Sequence, residues 1–292
     1  MSTPTTLCLY HTNSGSPCID GLGAAWAVYM IGEPVRFIPC IYGDPPPDVT
    51  GVDQLFIVDF SYPPDVLKKL LDDHPQMKVT LIDHHDTALR LLDFKHERLE
   101  SLIDTNHSGA GLAWTHLLGY RPDVIRHIED YDLWRFALNG TREIVTALYA
   151  AFDPDDIFSC LVNAFGNLDT LVEQGTVLLR QRAMIEKAIR ANAVFRTLAV
   201  PTPVDAMYDA AFVNCPHEFA SDVSVQLLED NPNIHLVVAW FHRGDGNIKC
   251  SFRSRKGGVN VAAIVEAYGA GGGHVSAAGA VFPPEDFILE YL

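Results

Sequence analysis

Short apolar runs alternate with amphipathic stretches through the first part of the chain. Residues 7–10, 55–58 and 79–82 are apolar and rich in β-forming side chains, which predicts three buried strands. Helix-like patterns occupy residues 22–31 and 64–73, and the second of these begins with a proline pair that favours a helix start. Because strand and helix alternate, the sequence predicts right-handed crossovers and a parallel sheet covered on both faces.

The remaining pattern predicts a helical insertion, a long helix and a second, smaller domain. Residues 108–165 are helical in pattern, and residues 168–197 form the longest amphipathic stripe, which we interpret as a linker helix. After Pro201-Thr202-Pro203 the pattern is again α/β, with strands at 211–214, 235–241 and 248–252 and helices near 221–229 and 260–268. We therefore predict an α/β protein with a parallel-sheet domain at 1–197 and a smaller α/β domain at 206–292.

Charge and composition limit the partners of the chain. Its 292 residues carry 21 Lys and Arg against 37 Asp and Glu, a formal charge of −16, which argues against binding of long nucleic acid. No apolar run approaches the ~18 residues that span a bilayer, and the N-terminus lacks a basic stretch followed by an apolar core. We therefore expect a cytoplasmic protein without a membrane partner, and homodimerisation remains an open alternative. The six cysteines form no C-x-x-C pair, which favours free, mostly buried thiols.

Candidate metal ligands follow each of the three early strands. His11 follows the first strand, Asp59 the second, and Asp83-His84-His85 the third. Each residue alone has an ordinary explanation as a turn or loop residue. However, carboxyl ends of parallel strands meet at one sheet edge, so these side chains are expected to gather around one or two divalent ions.

The Asp83-His84-His85 triplet further predicts a division of roles. Successive side chains of an extended chain point to opposite sides, so both histidines should not bind the same ion. One histidine is then a ligand and the other faces the substrate. Asp83 would orient one of the rings and fix its tautomer.

The C-terminal part contains residues suited to an anion. Gly271, Gly272 and Gly273 precede His274, and glycine lets a backbone approach an anion closely. Residues 243–256 carry five basic side chains against the single Asp245, and Arg253 is our choice for a two-bonded phosphate contact. Ser108, at the start of a helix, is either a phosphate-binding position or a plain N-cap.

These residues, in this order, resemble the DHH phosphoesterases, a family named for the triplet at residues 83–85. The resemblance spans nearly the whole chain and is carried by His11, Asp20-Gly21, Asp59, the segment 128–132, and the run Gly271–Gly279. That last run resembles the signature of the DHH-associated C-terminal domain. The triplet alone is a weak match, but together with the glycine-rich run it is specific.

The resemblance implies a two-domain enzyme with a metal site on the first domain and substrate-binding residues on the second. It implies Mn²⁺, as one or two ions, with Mg²⁺ or Co²⁺ as alternatives. The implied metal ligands are His11, Asp20, Asp59, His84 and Asp130, with Asp132 as the alternative to Asp130. The implied catalytic residues are His85, which would contact the scissile phosphate, Asp83, Arg253 and His274, and the implied substrate contacts are Gly271, Gly272, Gly273, His274, Arg253 and Ser108.

The chain departs from the family pattern near Asp20. Many members carry a second aspartate two residues after the first, but Leu22 occupies that position here, and residues 14–17 are extra. A branch of the family that reads His, Asn, then Cys-Pro-Asp-Gly is more similar to this segment. The number of ions bound is therefore left open.

The function expected from the resemblance is hydrolysis of phosphodiester bonds in short oligoribonucleotides or dinucleotides to mononucleotides. One alternative is a phosphatase of a small nucleotide or polyphosphate. Another, suggested by Leu22, is a nucleotide-binding sensor that has lost turnover. Because the implied metal and anion sites lie on different domains, turnover is expected to need closure about the helix at 168–197 and the loop after it.

Overall fold

Two sheets, each covered by helices, organise the chain. The structure is a computed structural model that describes residues 5–13, 16–32 and 34–286. Contacts between Cα atoms divide the chain into Met1–Leu179 and Arg180–Leu292, here called the N-terminal and C-terminal units. Ser14 and Gly15, part of the predicted extra segment, and residues 287–292 of the predicted second domain lie outside the described residues.

The N-terminal unit is built on a five-stranded sheet in which every neighbouring pair is parallel. Its strands are β1 Thr6–His11, β2 Val35–Cys40, β3 Gln54–Val58, β4 Lys78–Asp83 and β5 Leu99–Ile103. The spatial order is β2-β1-β3-β4-β5. The predicted parallel α/β sheet is confirmed, and the sequence pattern gave no signal for β2 or β5.

Alternation of side chains explains why the central strands are apolar throughout. Cys8 and Tyr10 of β1 face one hydrophobic cluster, whereas Leu7 and Leu9 face the other. The same alternation holds on β3. Because successive side chains point to opposite faces and both faces are buried, neither face tolerates a polar stripe.

Helices of the N-terminal unit cover both faces of the sheet. They are α1 Ile19–Met30, α2 Pro64–Asp73, α3 Gly109–Leu118, α4 Asp123–Asp132, α5 Thr141–Ala150, α6 Ser159–Ala164 and the start of α7 Leu168–Arg190, with a 3₁₀ helix at Asp86–Leu91. Pro64 stands in the first turn of α2, where its missing N–H costs nothing. The stretch predicted as helical, 108–165, contains α3 to α6.

The strand order creates a crevice at one edge of the sheet. The chain leaves β1 to form β2 on one side and returns to form β3 on the other. The connections that follow β1 and β3 therefore leave the carboxyl ends of these strands in opposite directions. Open α/β sheets bind ligands at such switch points.

The C-terminal unit is built on a six-stranded mixed sheet in the order β10-β11-β9-β8-β7-β6. Its elements are β6 Val194–Val200, β7 Ala206–Asn214, α8 His217–Asp230, β8 Leu236–His242, β9 Ile248–Ser254, α9 Val261–Ala267, β10 Gly271–His274 and β11 Ala277–Phe282. Only the pair β7 and β8 is parallel among the described strands of this sheet. Helices α8 and α9 pack in separate hydrophobic clusters.

The long helix ends earlier than the sequence pattern predicts. Helix α7 stops at Arg190, and residues expected to continue it to 197 enter strand β6 instead. Leu198 and Val200 of β6 are buried in the C-terminal core, and β6 pairs antiparallel with β7. Pairing with a distant strand thus outweighs the local helical pattern. The division between the two units falls inside α7, and the domain limits 197 and 206 remain a prediction.

No helix in the described part of the chain is long and apolar enough to cross a membrane.

Gly175 explains an irregularity in the apolar stripe of α7. A Cβ at this position would lie 1.9 Å from the carbonyl oxygen of Glu143, so α7 can approach α5 only with glycine there. Gly175→Ala is expected to destabilise the N-terminal unit by about 1–3 kcal/mol through overpacking. Helix propensity alone would favour alanine by roughly 0.5–1 kcal/mol, so the sign of the change decides between the two effects. Urea unfolding followed by circular dichroism measures it.

The matched control is Gly244→Ala, since a Cβ at Gly244 meets nothing within 4 Å among the described residues. This variant is expected to change the free energy of unfolding by less than about 0.5 kcal/mol. Equal stability of Gly175→Ala and wild type would contradict the packing argument.

Candidate metal centre

Five side chains of ligand type meet at the carboxyl edge of the N-terminal sheet. His11 ends β1, and Asp59 and His84 directly follow β3 and β4. Asp20 lies in the first turn of α1, and Asp132 is the last residue of α4. The predicted ligands His11, Asp20, Asp59 and His84 are thus brought together, although they are far apart in sequence.

The distances show that the carboxylate of Asp59 lies at the middle of this cluster. His84 Nε2 is 3.2 Å from Asp59 Oδ1 and 3.6 Å from both Asp20 Oδ2 and Asp132 Oδ2. His11 Nδ1 is 3.5 Å from the other oxygen, Asp59 Oδ2. Three sets have ligand atoms within 4.8 Å of one another: His11-Cys18-Asp59, Asp59-His84-His85 and Asp20-His84-Asp132.

The backbone around Asp59 is shaped to bury this carboxylate. Asp59 is 0 % exposed and has φ +62°, a left-handed conformation that costs a non-glycine residue of order 1–3 kcal/mol. Its N–H donates to the carbonyl oxygen of Ile82 at 2.8 Å. A Cβ on Gly109 would lie 2.5 Å from Asp59 Oδ1, and one on Gly21 would lie 3.2 Å from Oδ2. Glycine at both positions makes room for the carboxylate.

Several buried polar atoms of the cluster lack a hydrogen bond. Asp59 Oδ1, His11 Nδ1 and His84 Nε2 have no hydrogen-bond partner among the described residues. A buried polar atom without a partner costs about 1–3 kcal/mol, and a charged one costs more. Because carboxylate oxygen and imidazole nitrogen are ligands of Mn²⁺, Zn²⁺ and Co²⁺, the unpaired atoms fit a divalent cation.

Asp20 is held by the beginning of a helix. Its two carboxylate oxygens accept hydrogen bonds from the N–H groups of Gly109 and Ala110, at 2.7 and 3.0 Å. These N–H groups open α3, so the helix dipole favours the negative charge. Burial nevertheless raises the pKa of Asp20, and the nearby carboxylates of Asp59 and Asp132 raise it further.

The pKa shifts of Asp59 and His84 show how the cluster is stabilised without a cation. Burial alone would raise the pKa of Asp59, but the His11 and His84 rings facing it outweigh burial and hold the pKa below its usual range. Burial lowers the pKa of His84, but the carboxylate of Asp59 outweighs this and raises the pKa overall. When no cation is bound, a proton on His84 would supply part of the positive charge that these carboxylates could otherwise obtain from a metal ion.

Asp83 orients His85 rather than joining the cluster. Asp83 Oδ1 lies 2.8 Å from His85 Nδ1 and also accepts the backbone N–H groups of His84 and His85. This contact places the proton of the ring on Nδ1, which leaves Nε2 as the free acceptor. The two rings nevertheless lie close together, with centroids 4.3 Å apart, and Asp59, His84 and His85 have ligand atoms within 4.8 Å of one another. The expected separation of the two histidines therefore remains a prediction.

Asp130 takes no part in the metal cluster, and Asp132 occupies the position expected for it. The Asp130 carboxylate accepts the N–H groups of Ala137 and Leu138 and the hydroxyl of Thr141, at 2.8, 3.1 and 2.6 Å. Its oxygens are therefore committed to the turn after α4. Of the two alternatives, the structure brings Asp132 and not Asp130 to the cluster, so Asp132 replaces Asp130 as the candidate ligand.

Ser108 and Leu22 both have structural roles. Ser108 is 0 % exposed, and its hydroxyl accepts the N–H of Gly111 at 3.1 Å, so it caps α3 and its expected substrate contact is corrected. The following N–H groups are used by Asp20, not by a substrate. Leu22 is 1 % exposed and packs in the core beside α3.

A pocket in the C-terminal unit contains most of the predicted anion-binding residues. It has a volume of about 330 Å³ and is lined by Lys249, Arg253, Gly272 and Gly273 among others. Arg253 Nη2 donates to the hydroxyl of Ser221 at 2.5 Å. The three glycines and His274 form strand β10, and His274 is exposed on it without lining this pocket.

The loop after Asp132 presents an aromatic side chain that the sequence argument missed. Trp134 is 68 % exposed, and both Trp134 and Phe136 have positive φ angles, +54° and +49°. The guanidinium of Arg142 lies over both rings, at 3.9 Å from the centre of Phe136 and 5.7 Å from that of Trp134. A strained, exposed aromatic residue such as Trp134 next to a ligand-type carboxylate is typical of a functional site.

A parallel α/β sheet with a carboxylate and imidazole cluster at its switch point has the donor set to hold a divalent cation. Residues 217–289 match the family model described as DHHA1 domain. This match agrees with the expected DHH-associated C-terminal domain, and the Asp83-His84-His85 triplet lies at the cluster.

Two further similarities cover nearly the whole chain. The chain is 24 % identical over 297 aligned residues to an uncharacterised protein of Acanthamoeba polyphaga mimivirus, across 94 % of this chain and 66 % of the viral protein. It therefore spans slightly less than two thirds of that relative. A crystal structure of an exopolyphosphatase-related protein from Bacteroides fragilis matches with a TM-score of 0.41 and 14 % identity, over 95 % of this chain and 86 % of that one.

Asp132→Ala and Asp130→Ala separate the two candidate ligands. Asp132→Ala is expected to weaken Mn²⁺ binding by about tenfold or more, because a metal ligand is lost. Asp130→Ala is expected to leave the Mn²⁺ affinity within a few-fold of wild type and to lower the free energy of unfolding by about 1–3 kcal/mol, because buried donors lose their acceptor. Isothermal titration calorimetry and urea unfolding measure the two effects. The reverse pattern would restore Asp130 as the ligand.

Metal affinity is expected to depend on pH with a definite sign. In the metal-free chain the pKa values of His84 and Asp20 are both raised, so protons compete with the cation for these groups. The apparent affinity for Mn²⁺ should therefore rise from pH about 6 to about 8, through and beyond the ordinary histidine pKa of about 6.5. Calorimetry in two buffers of different ionisation enthalpy should detect proton release. An affinity that is constant across this range would contradict the assignment of His84.

Proposed function

We propose that the chain is a Mn²⁺-dependent phosphodiesterase that cleaves short oligoribonucleotides or dinucleotides to mononucleotides. The observation that carries the proposal is the buried set of unpaired ligand atoms on Asp59, His11 and His84. The match of residues 217–289 to the DHHA1 domain model supports the reaction class. The ion and the substrate are the proposed part.

The residues that would hold the metal are His11, Asp20, Asp59, His84 and Asp132. When bound, a divalent ion lowers the pKa of a water molecule from 15.7 to about 7 and so supplies hydroxide at neutral pH. Asp59 faces ligand-type groups with both oxygens, so either oxygen could serve as a ligand. Asp20 is fixed by two backbone N–H groups and therefore needs little reorganisation to act as a ligand.

His85 would contact the phosphoryl group. With Nδ1 held by Asp83, its Nε2 is available to donate a hydrogen bond when the ring is protonated. Burial lowers the pKa of His85, but the carboxylates of Asp83 and Asp59 outweigh it and raise the pKa overall. When protonated, His85 would stabilise negative charge on the phosphoryl oxygens or protonate the leaving oxygen.

Binding of the anionic part of the substrate is assigned to the C-terminal pocket. Lys249 and Arg253 supply positive charge, and guanidinium binds phosphate through two parallel hydrogen bonds. A Cβ on Gly272 would meet nothing within 4 Å among the described residues, so its backbone leaves space for a ligand. His274, at the end of the same strand, is proposed as a further substrate contact.

The exposed ring of Trp134 favours a substrate that carries a base. Stacking of a base on an aromatic side chain contributes about 1–3 kcal/mol and is tolerant of sequence. Trp134 lies two residues after Asp132, a proposed ligand, and is largely exposed. This observation favours a nucleotide over inorganic polyphosphate, the runner-up substrate.

A sensor without turnover remains the competing function, and one experiment separates the two. The full chain, freed of metal and supplied with Mn²⁺, should release mononucleotides from a labelled dinucleotide, and Asp59→Asn should abolish release. Mn²⁺ should restore more activity than Mg²⁺, since imidazole ligands suit Mn²⁺ better. Binding of the dinucleotide without release, unchanged by Asp59→Asn, would support the sensor instead.

Trp134→Ala tests the substrate class. We expect it to reduce kcat/KM for a dinucleotide by about 5- to 100-fold, the loss of one stacked base, and to leave hydrolysis of bis(p-nitrophenyl) phosphate and of tripolyphosphate unchanged. The matched control is Trp26→Phe, a change at a buried ring. Equal loss on all substrates would contradict base stacking. Tripolyphosphate hydrolysis faster than that of the dinucleotide would favour the polyphosphatase.

A further inference from the structure

Cys18 lies against the metal cluster. Its thiol donates a hydrogen bond to Asp59 Oδ2, with the sulfur 3.5 Å from that oxygen. The ligand atoms of His11, Cys18 and Asp59 all lie within 4.8 Å of one another. The other five cysteines of the chain take no part in such a group among the described residues.

A purely structural role explains this thiol poorly. Cys18 is the N-cap of α1, and its sulfur accepts the N–H of Gly21 at 3.5 Å. Sulfur is a weak acceptor, and N-caps are normally Ser, Thr, Asp or Asn. The same chain uses the oxygen of Ser108 to cap α3 and that of Asn260 to cap α9. Because oxygen is the stronger acceptor, capping alone would favour serine at position 18.

The separations agree with ligands that share one ion. Ligands at 2.0–2.3 Å from a tetrahedral ion lie about 3.5 Å apart. His11 Nδ1 and Cys18 Sγ each lie 3.5 Å from Asp59 Oδ2. His11 Nδ1 is also buried without a hydrogen-bond partner in the described part of the chain, as is Asp59 Oδ1. The unpaired nitrogen is a second indication of a ligand, independent of the thiol.

We propose that Cys18 is a sulfur ligand of the metal centre and binds the same ion as His11 and Asp59. The thiol binds as thiolate and gives its proton to solvent. This inference concerns the same metal site as the proposed function and depends on that function in no other way. It also supplies a donor near the place where Leu22, buried in the core, has removed a carboxylate.

A thiolate changes which ions this half of the centre prefers. Thiolate is a soft ligand that favours Zn²⁺ and Co²⁺ over Mg²⁺ and Mn²⁺. The group formed by Asp20, His84 and Asp132 offers only oxygen and nitrogen and suits Mn²⁺. We therefore expect two sites of different preference within one cluster, one thiolate-containing and one not.

Cobalt spectroscopy tests the sulfur bond without relying on activity. The metal-free full chain titrated with Co²⁺ should develop the near-ultraviolet band of sulfur-to-cobalt charge transfer. Cys18→Ser should lose this band but keep visible cobalt bands, because His11 and Asp59 remain and serine preserves the helix cap. Thermal unfolding by circular dichroism checks that the variant is folded.

Cys40→Ser is the matched control. Cys40 is a buried thiol of the same unit, and its sulfur accepts the hydroxyl of Tyr62, a contact that serine also makes. This variant should keep the charge-transfer band. A band that is absent from wild type, or that persists in Cys18→Ser, overturns the proposal.

A second measurement tests the metal preference with a substitution that should reverse it. Cys18→Asp replaces the soft ligand with a hard one and should raise the ratio of Mn²⁺ to Zn²⁺ affinity by tenfold or more, measured by competition calorimetry. An unchanged ratio contradicts a sulfur ligand. Metal binding without sulfur signatures would leave the phosphodiesterase proposal intact, whereas no metal binding by wild type would remove that proposal as well.

Discussion

The buried carboxylate of Asp59 is the constraint on which the N-terminal unit depends. It stands between two strands at the switch point of the sheet, shielded from water and held in a left-handed backbone conformation. Gly21 and Gly109 are needed to make space for it, and the rings of His11 and His84 face its two oxygens. A charge in this position is stable only beside positive charge, which a protonated histidine or a cation provides.

The same constraint links folding to metal binding. Asp20, Asp59 and Asp132 place three carboxylates around one imidazole, His84. Burial first, and the neighbouring carboxylate of Asp59 second among the groups that raise them, hold the pKa values of Asp20 and Asp132 above their usual range. A cation that binds this arrangement and not the unfolded chain stabilises the fold by mass action. The fold therefore holds these carboxylates together at a cost in free energy, and a bound cation would offset that cost.

Charge is distributed so that attraction for an anion is local. The chain has a formal charge of −16, yet Lys249 and Arg253 line one pocket of the C-terminal unit. A surface of this net charge repels long nucleic acid, whereas the pocket by itself offers positive charge to a short anionic group.

The sequence by itself determined the parallel sheet and most of the cluster. Apolar runs on β1, β3 and β4 are long enough to specify buried strands, and polar residues directly after parallel strands must meet at one edge. His11, Asp59 and His84 follow from that rule.

The tertiary structure alone decided between Asp130 and Asp132, because residues two apart on a helix differ by about 200° in direction and only packing fixes which faces the site. It also decided the roles of Cys18 and Ser108, both at helix N-caps, and the strands β6, β10 and β11, whose pairing partners are distant in sequence. A local sequence pattern predicts a helix or a strand only where buried apolar residues recur along it. Single contacts between residues that are distant in sequence are determined by the tertiary structure.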